Sequence, residues 1–159
     1  MNDAPIDIQA VAKSFGSNSV LGDLTLSAAE GQTFAFLGRN GAGKTTTIRM
    51  LLGLLKQDAG RIRVLGLDPG RDALEIRRRV GFMAEDQVMF GWMRVSQIIE
   101  FIAPFYPTWD AQLTKRYLKQ FELPVQTRVK HLSKGQTARL ALLLGLAPVS
   151  YTHLRAHET

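Results

Sequence analysis

Thr33-Phe34-Ala35-Phe36-Leu37-Gly38-Arg39-Asn40-Gly41-Ala42-Gly43-Lys44-Thr45 is the stretch that decides the fold of this 159-residue chain. Its first five residues form a nearly continuous apolar run, the pattern of a strand buried on both faces in a parallel sheet. Glycines follow at once, and from Thr45 to Leu55 the residues Ile48, Leu51, Leu52 and Leu55 recur at helical spacing. Glycines, a Lys and a Thr at these offsets, set between a strand and a helix, match a phosphate-holding loop. Such a loop turns its backbone N–H groups inward through conformations that a Cβ obstructs, which is why glycine is needed there. The helix adds the positive end of its dipole. Lys44 would set an ammonium on the β- and γ-phosphates, the Thr45 hydroxyl would ligate magnesium, and Thr46 offers a donor at the α-phosphate. A nucleoside triphosphate is the expected ligand of Gly38, Arg39, Asn40, Gly41, Ala42, Gly43, Lys44, Thr45 and Thr46.

Upstream, apolar residues alternate from Ile6 to Ala12 and again from Val20 to Ala28, reading as two half-buried strands. Ser14-Phe15-Gly16-Ser17-Asn18-Ser19 between them is a turn-rich loop, so the chain opens antiparallel. Downstream, Gly60 to Leu65 returns to strand character, Asp72 to Arg79 reads as a short basic helix, and Val80-Gly81-Phe82-Met83 reads as a further strand. The remainder is Leu-rich and helical. Ser96 is the expected N-cap of a helix through Phe101 and Phe105 stopped by Pro107, and Asp110 that of a helix through Phe121 ended by Pro124.

The composition, 45% hydrophobic and 21% charged, is that of an ordinary globular domain and excludes whole-chain disorder. With no Cys, a disulfide framework, a Cys-ligated metal and a thiol nucleophile are excluded. The longest strongly apolar run, Leu140 to Ala147, falls far short of the roughly 20 residues that cross a bilayer. The N-terminus has no basic cluster with an apolar stretch behind it, so the cytoplasm is the expected compartment. A net charge of +6 suits phosphate ligands, anionic lipid surfaces or nucleic acid. Most of it, including Arg77-Arg78-Arg79, is expected simply to solvate the surface.

A second motif, Leu132-Ser133-Lys134-Gly135-Gln136, opens a Leu-rich helix about 95 residues after the phosphate loop. It resembles the signature motif of ABC-type ATPases, usually Leu-Ser-Gly-Gly-Gln, with Lys134 in place of the first Gly. A helix N-terminus bearing a Ser hydroxyl and a bare Gly backbone suits a γ-phosphate held by another subunit. Read alone, the pentapeptide is equally a plain N-cap Ser before a core helix. The resemblance runs from about Ile6 to Pro148. It implies an α/β P-loop NTPase of the ABC type, with an antiparallel β subdomain, an incomplete parallel core sheet and a helical subdomain. It also implies ATP and Mg²⁺ as cofactors. Phe15 stands where the family places the aromatic that stacks on adenine, the plainer reading being an apolar residue that anchors the turn. Glu85 stands where a magnesium-side Gln is most common, with Asp86 and Gln87 as neighbouring candidates for that role or for a solvated acidic loop. The aromatic stretch Phe105-Tyr106-Pro107-Thr108-Trp109-Asp110 resembles the region that docks membrane subunits in small bacterial ABC-2 exporters. Its residues alone leave a core role equally open.

After the signature helix the family continues into an apolar strand ending Asp-Glu, which fixes magnesium and activates water. Here the helix reaches Leu146-Ala147-Pro148, and from Lys134 onward the only carboxylate side chain is Glu158. No catalytic residue is therefore assigned, and His153 and His157 read as tail histidines. The expected division is residues 1–148 as a truncated nucleotide-binding domain and 149–159 as an unrelated, artefactual tail. The resemblance implies an ATP-binding subunit of an ABC transporter that binds ATP yet hydrolyses it poorly or not at all. It would lie peripherally at the inner face of the cell membrane, with transmembrane permease subunits and a second, head-to-tail nucleotide-binding subunit as partners, and no nucleic acid. The alternatives are a soluble ABC-type ATPase acting on ribosome or DNA, and a non-catalytic ATP-binding fragment.

Overall fold

The computed structural model describes residues 4–84 and 89–148, and it divides into two compact units, residues 1–77 and 78–159. In the first unit, β1 (Ile6–Phe15) is the central strand of a three-stranded antiparallel sheet, flanked by β2 (Asn18–Ala28) and β3 (Ala59–Val64). Alternation puts Ile8 and, in β3, Ile62 and Val64 in the interior, but it breaks at a bulge in β1, where Ala10 takes a φ of 50° and is exposed while Val11 is buried in its place. The loop expected at Ser14–Ser19 is tighter than its composition implied. Phe15 pairs directly with Asn18, leaving a two-residue turn in which Gly16 takes a φ of 59°.

Helix α1 (Lys44–Leu51) follows the glycine loop and lies against β3. It stops short of the expected Leu55. Gly53 adopts a φ of 65° and donates to the Met50 carbonyl at 3.0 Å, while Leu54 donates to Arg49 at 2.8 Å, the paired bonds of a glycine-closed helix end. Any Cβ on Gly53 would also fall 2.5 Å from the Pro69 carbonyl. Helix α2 (Ala73–Arg79) forms as expected, and Asp72 accepts at its entry from the Asp68 N–H at 3.0 Å.

Two expected strands are not formed. Residues 33–37 and 80–83 take no part in any ladder among the described residues, and Leu37 is 87% exposed. An apolar run becomes a buried parallel strand only when neighbours satisfy its N–H and C=O groups on both sides. No such neighbour is paired to either run among the described residues, so the sheet observed is the antiparallel one.

The second unit holds α3 (Val95–Ile102), a 3₁₀ turn (Ala103–Phe105), α4 (Ala111–Gln120) and α5 (Lys134–Leu146). Leu140, Leu143 and Leu144 of α5 meet Val95, Ile98 and Ile99 of α3 in one core with Met93, Leu123 and Val129. Burying each such aliphatic side chain stabilises the unit by about 1.5–3 kcal/mol. Asp110 caps α4 as expected, its Oδ1 accepting from Gln112 and Leu113 at 2.8 Å each. Ser96 does not cap α3. Arg94 holds the cap position with its N–H on Gln97 Oε1 at 2.9 Å, and Ser96 sits inside the helix with its N–H on the Val125 carbonyl. Starting the helix at Val95 buries that side chain completely, which a start after Ser96 would forgo.

Candidate phosphate-binding loop and helix N-termini

The glycine loop closes on itself before the helix begins. Ala42 donates to the Arg39 carbonyl at 3.1 Å, and Gly41 and Gly43 take φ values of 84° and 83°, a left-handed conformation strained for any side chain. Gly43 is the N-cap of α1, and a Cβ there would stand 2.6 Å from Leu21 Cδ2 and 3.3 Å from Val20 Cγ1. The start of β2 thus forms the floor under the loop, tying it to the β1–β2 hairpin that carries Phe15. Thr47, buried one turn on, locks the cap by giving both its N–H (2.8 Å) and its hydroxyl (2.9 Å) to the Gly43 carbonyl.

Lys44 curls back over the loop and donates from Nζ to the carbonyls of Gly38 (2.5 Å) and Arg39 (2.8 Å). No acidic residue lies in the first turn of α1 to offset the positive end of its dipole. Thr45 is exposed and Thr46 half-buried, both in that first turn. Backbone donors, ammonium and hydroxyl are therefore gathered on one loop of the first unit. That loop can chelate a polyphosphate.

Phe15 ends β1 and is 51% exposed. The Lys13 ammonium lies over its ring, 5.5 Å from the centroid, and is itself ion-paired to Asp58 at 2.6 Å. Asp58 also accepts from the Ser14 N–H at 2.7 Å. The Lys13 hydrogen bond first, and the Ser14 N–H second, hold the Asp58 carboxyl below the usual carboxylate range. Lys13 and Asp58 escaped the sequence reading because 45 residues separate them. Only the pairing of β1 with β3, whose first residue adjoins Asp58, brings them together.

Leu132, Ser133, Lys134, Gly135 and Gln136 belong to the second unit and open α5. Ser133 is the N-cap of a reciprocal box. Its Oγ accepts from the Gln136 N–H at 3.2 Å, and Gln136 Oε1 accepts from the Ser133 N–H at 2.9 Å. Ser133, Lys134 and Gly135 are exposed, while the Gln136 N–H is spent on the Ser133 cap. The cap role and an anion-facing role are compatible in one arrangement. Glu85 lies outside the described residues, as does the tail 149–159. Among the described residues no cluster of His, Asp or Glu could hold a metal by itself.

The aromatic stretch divides. Trp109 is partly buried against the helical core beside Tyr106, at 6.4 Å between centroids, whereas Phe105 is exposed. Phe105 continues a surface row in which Phe101, Phe90 and Trp92 follow at centroid spacings of 5.6, 5.7 and 6.2 Å. Trp92 is 65% exposed.

Loop, hairpin and helices define a P-loop nucleotide-binding protein of the ABC type. A family profile described as "ABC transporter" matches residues 21–149, and the chain belongs to that family. It is 34% identical to the Nod factor export ATP-binding protein I of Paraburkholderia xenovorans, over 92% of this chain and 50% of the relative. It is 38% identical to the sulfate/thiosulfate import ATP-binding protein CysA of Yersinia pseudotuberculosis, over 89% of this chain and 41% of the relative. A solved chain described as the ATP binding subunit of an ABC transporter superposes with a TM-score of 0.81 at 23% identity, over 90% of this chain and 62% of that one, a likeness of fold. The chain spans about half the length of the curated relatives it matches. Among the described residues no helix is long and apolar enough to cross a membrane.

Proposed function

We propose that the chain is the ATP-binding part of an ABC transporter subunit. Gly38 to Thr46 hold the triphosphate, Phe15 stacks on the adenine, and Ser133 to Gln136 face the γ-phosphate held by a second copy arranged head to tail. The observation that carries this reading is the loop itself, where two left-handed glycines, a capped helix free of acidic residues in its first turn and the Lys44 ammonium converge. Mg²⁺ fits this donor set as a partner of the phosphates. It retains waters and needs few protein oxygens, and Thr45 supplies one. When bound, it neutralises charge shared between phosphate oxygens.

Transmembrane permease subunits are the partners, met at the inner face of the membrane, and the exposed row Phe90, Trp92, Phe101 and Phe105 is the surface offered to them. Relatives named for export and for import match the same stretch, which supports a nucleotide module whose cargo is chosen by its partners. The chain binds ATP and turns it over negligibly. Within these 159 residues the only carboxylate side chain from Lys134 onward is Glu158, and no Asp-Glu pair follows α5 to hold magnesium and activate water. Titration of the full 159-residue chain with ATP tests the binding. The expected result is saturable association that Lys44→Ala weakens at least tenfold, and no association by the unsubstituted chain defeats the proposal.

A further inference from the structure

Lys13 has no place in phosphate binding, yet its side chain is only 12% exposed and makes two specific interactions. Its ammonium is held 2.6 Å from Asp58 Oδ1, and the same ammonium lies over the Phe15 ring at 5.5 Å. Asp58 is itself fixed at three points on β1. Its Oδ1 takes Lys13, its Oδ2 takes the Ser14 N–H at 2.7 Å, and its own N–H donates to the Ala12 carbonyl at 3.0 Å. One carboxylate thus pins the last turn-ward residues of β1 and parks a cation against the aromatic that ends the strand. The neighbouring Gly16 offers no side chain to hold that ring, and apart from its chain neighbours no described residue comes within 4 Å of where its Cβ would be.

We infer that Lys13 and Asp58 are positioning residues for base recognition: Asp58 orients Lys13, and Lys13 fixes the Phe15 ring as a platform for a purine. A ring at a hairpin tip that is half exposed has rotamer freedom to lose when a base stacks on it, and a cation seated over one face removes that freedom beforehand. The cation also draws on the electron-rich face of the ring, leaving it better matched to an electron-rich purine. This rests on the nucleotide site proposed above.

The test compares ATP with inorganic tripolyphosphate, which shares the phosphates and lacks the base, on the full chain with Mg²⁺ present. Lys13→Met and Asp58→Asn are each expected to weaken ATP roughly 2- to 5-fold, leaving tripolyphosphate unchanged. Lys13→Arg, which keeps the cation, is expected to retain ATP affinity. In a Phe15→Ala background, Lys13→Met is expected to have no further effect. Equal weakening of ATP and tripolyphosphate by Lys13→Met, or the same loss of ATP with and without Phe15, overturns the inference. If Phe15→Ala leaves ATP affinity unchanged, the platform and this inference fail together, with the phosphate site intact. If the unsubstituted chain binds neither ligand, the nucleotide site fails as well.

Discussion

At Gly43 a methyl group would meet Leu21 at 2.6 Å, and the φ of 83° would persist even if that side chain moved aside. Gly43→Ala is therefore expected to lower stability by about 1–2 kcal/mol from the dihedral alone, with more from the collision, and to abolish phosphate binding. Thermal melts and ATP titration of the variant check both. Glu122 presents the opposite case. It closes α4 at a φ of 51°, donating to the Lys119 carbonyl while Leu123 donates to Leu118, a helix end that glycine fits without strain. Glu122→Gly is expected to raise stability by about 1 kcal/mol, read as a higher midpoint in urea at unchanged slope. Asp58 adds a pH dependence. Because its folded pKa lies below the unfolded value, its contribution is present above the ordinary carboxylate range and is lost as pH falls through the folded pKa. The Tm gap between the unsubstituted chain and Asp58→Asn should accordingly be widest near neutral pH and close in acid. The glycine loop and the place of Lys44 and Gly43 at the start of α1 were legible from residue type and spacing. The Lys13–Asp58 pair was not, because strand pairing across 45 residues is a tertiary fact.

Among the elements, two helix starts with local cap signals came through intact. Asp110 caps α4 with two N–H bonds, and Ser133 with Gln136 three residues later spells the reciprocal box that opens α5. Ser133→Ala should cost about 1 kcal/mol, visible as a lower denaturation midpoint of the full chain. Ser96 carried the same local signal and lost to packing, since complete burial of Val95 required an earlier start. The runs 33–37 and 80–83 read as strands because apolar character is local, but a ladder belongs to pairs of segments and cannot be read from one. The aromatic row of the second unit is exposed enough to be probed directly. Trp92→Ser should reduce fluorescence of a hydrophobic dye while moving stability by no more than about 0.5 kcal/mol, as for other surface substitutions.

For the molecule as a whole, two motifs about 95 residues apart in fixed order carry the family resemblance in the sequence itself, because spacing across a domain is part of a motif's information. Each unit nevertheless depends on its own interior. Leu143→Ala, at a fully buried position of the helical core, is expected to cost about 2–5 kcal/mol, measured by chemical denaturation. Lys44 already rests on the carbonyls of Gly38 and Arg39, so the loop carries its own tethered competitor. Two of the lysine's three N–H donors are spent on those acceptors, so an arriving anion gains the whole ammonium only by displacing them. A lone phosphate recovers little for that exchange, whereas a chain of phosphates engages the loop amides at the same moment. For the triphosphate proposed above, the resting lysine is thus an entry threshold, expected to favour long phosphate chains over single phosphates.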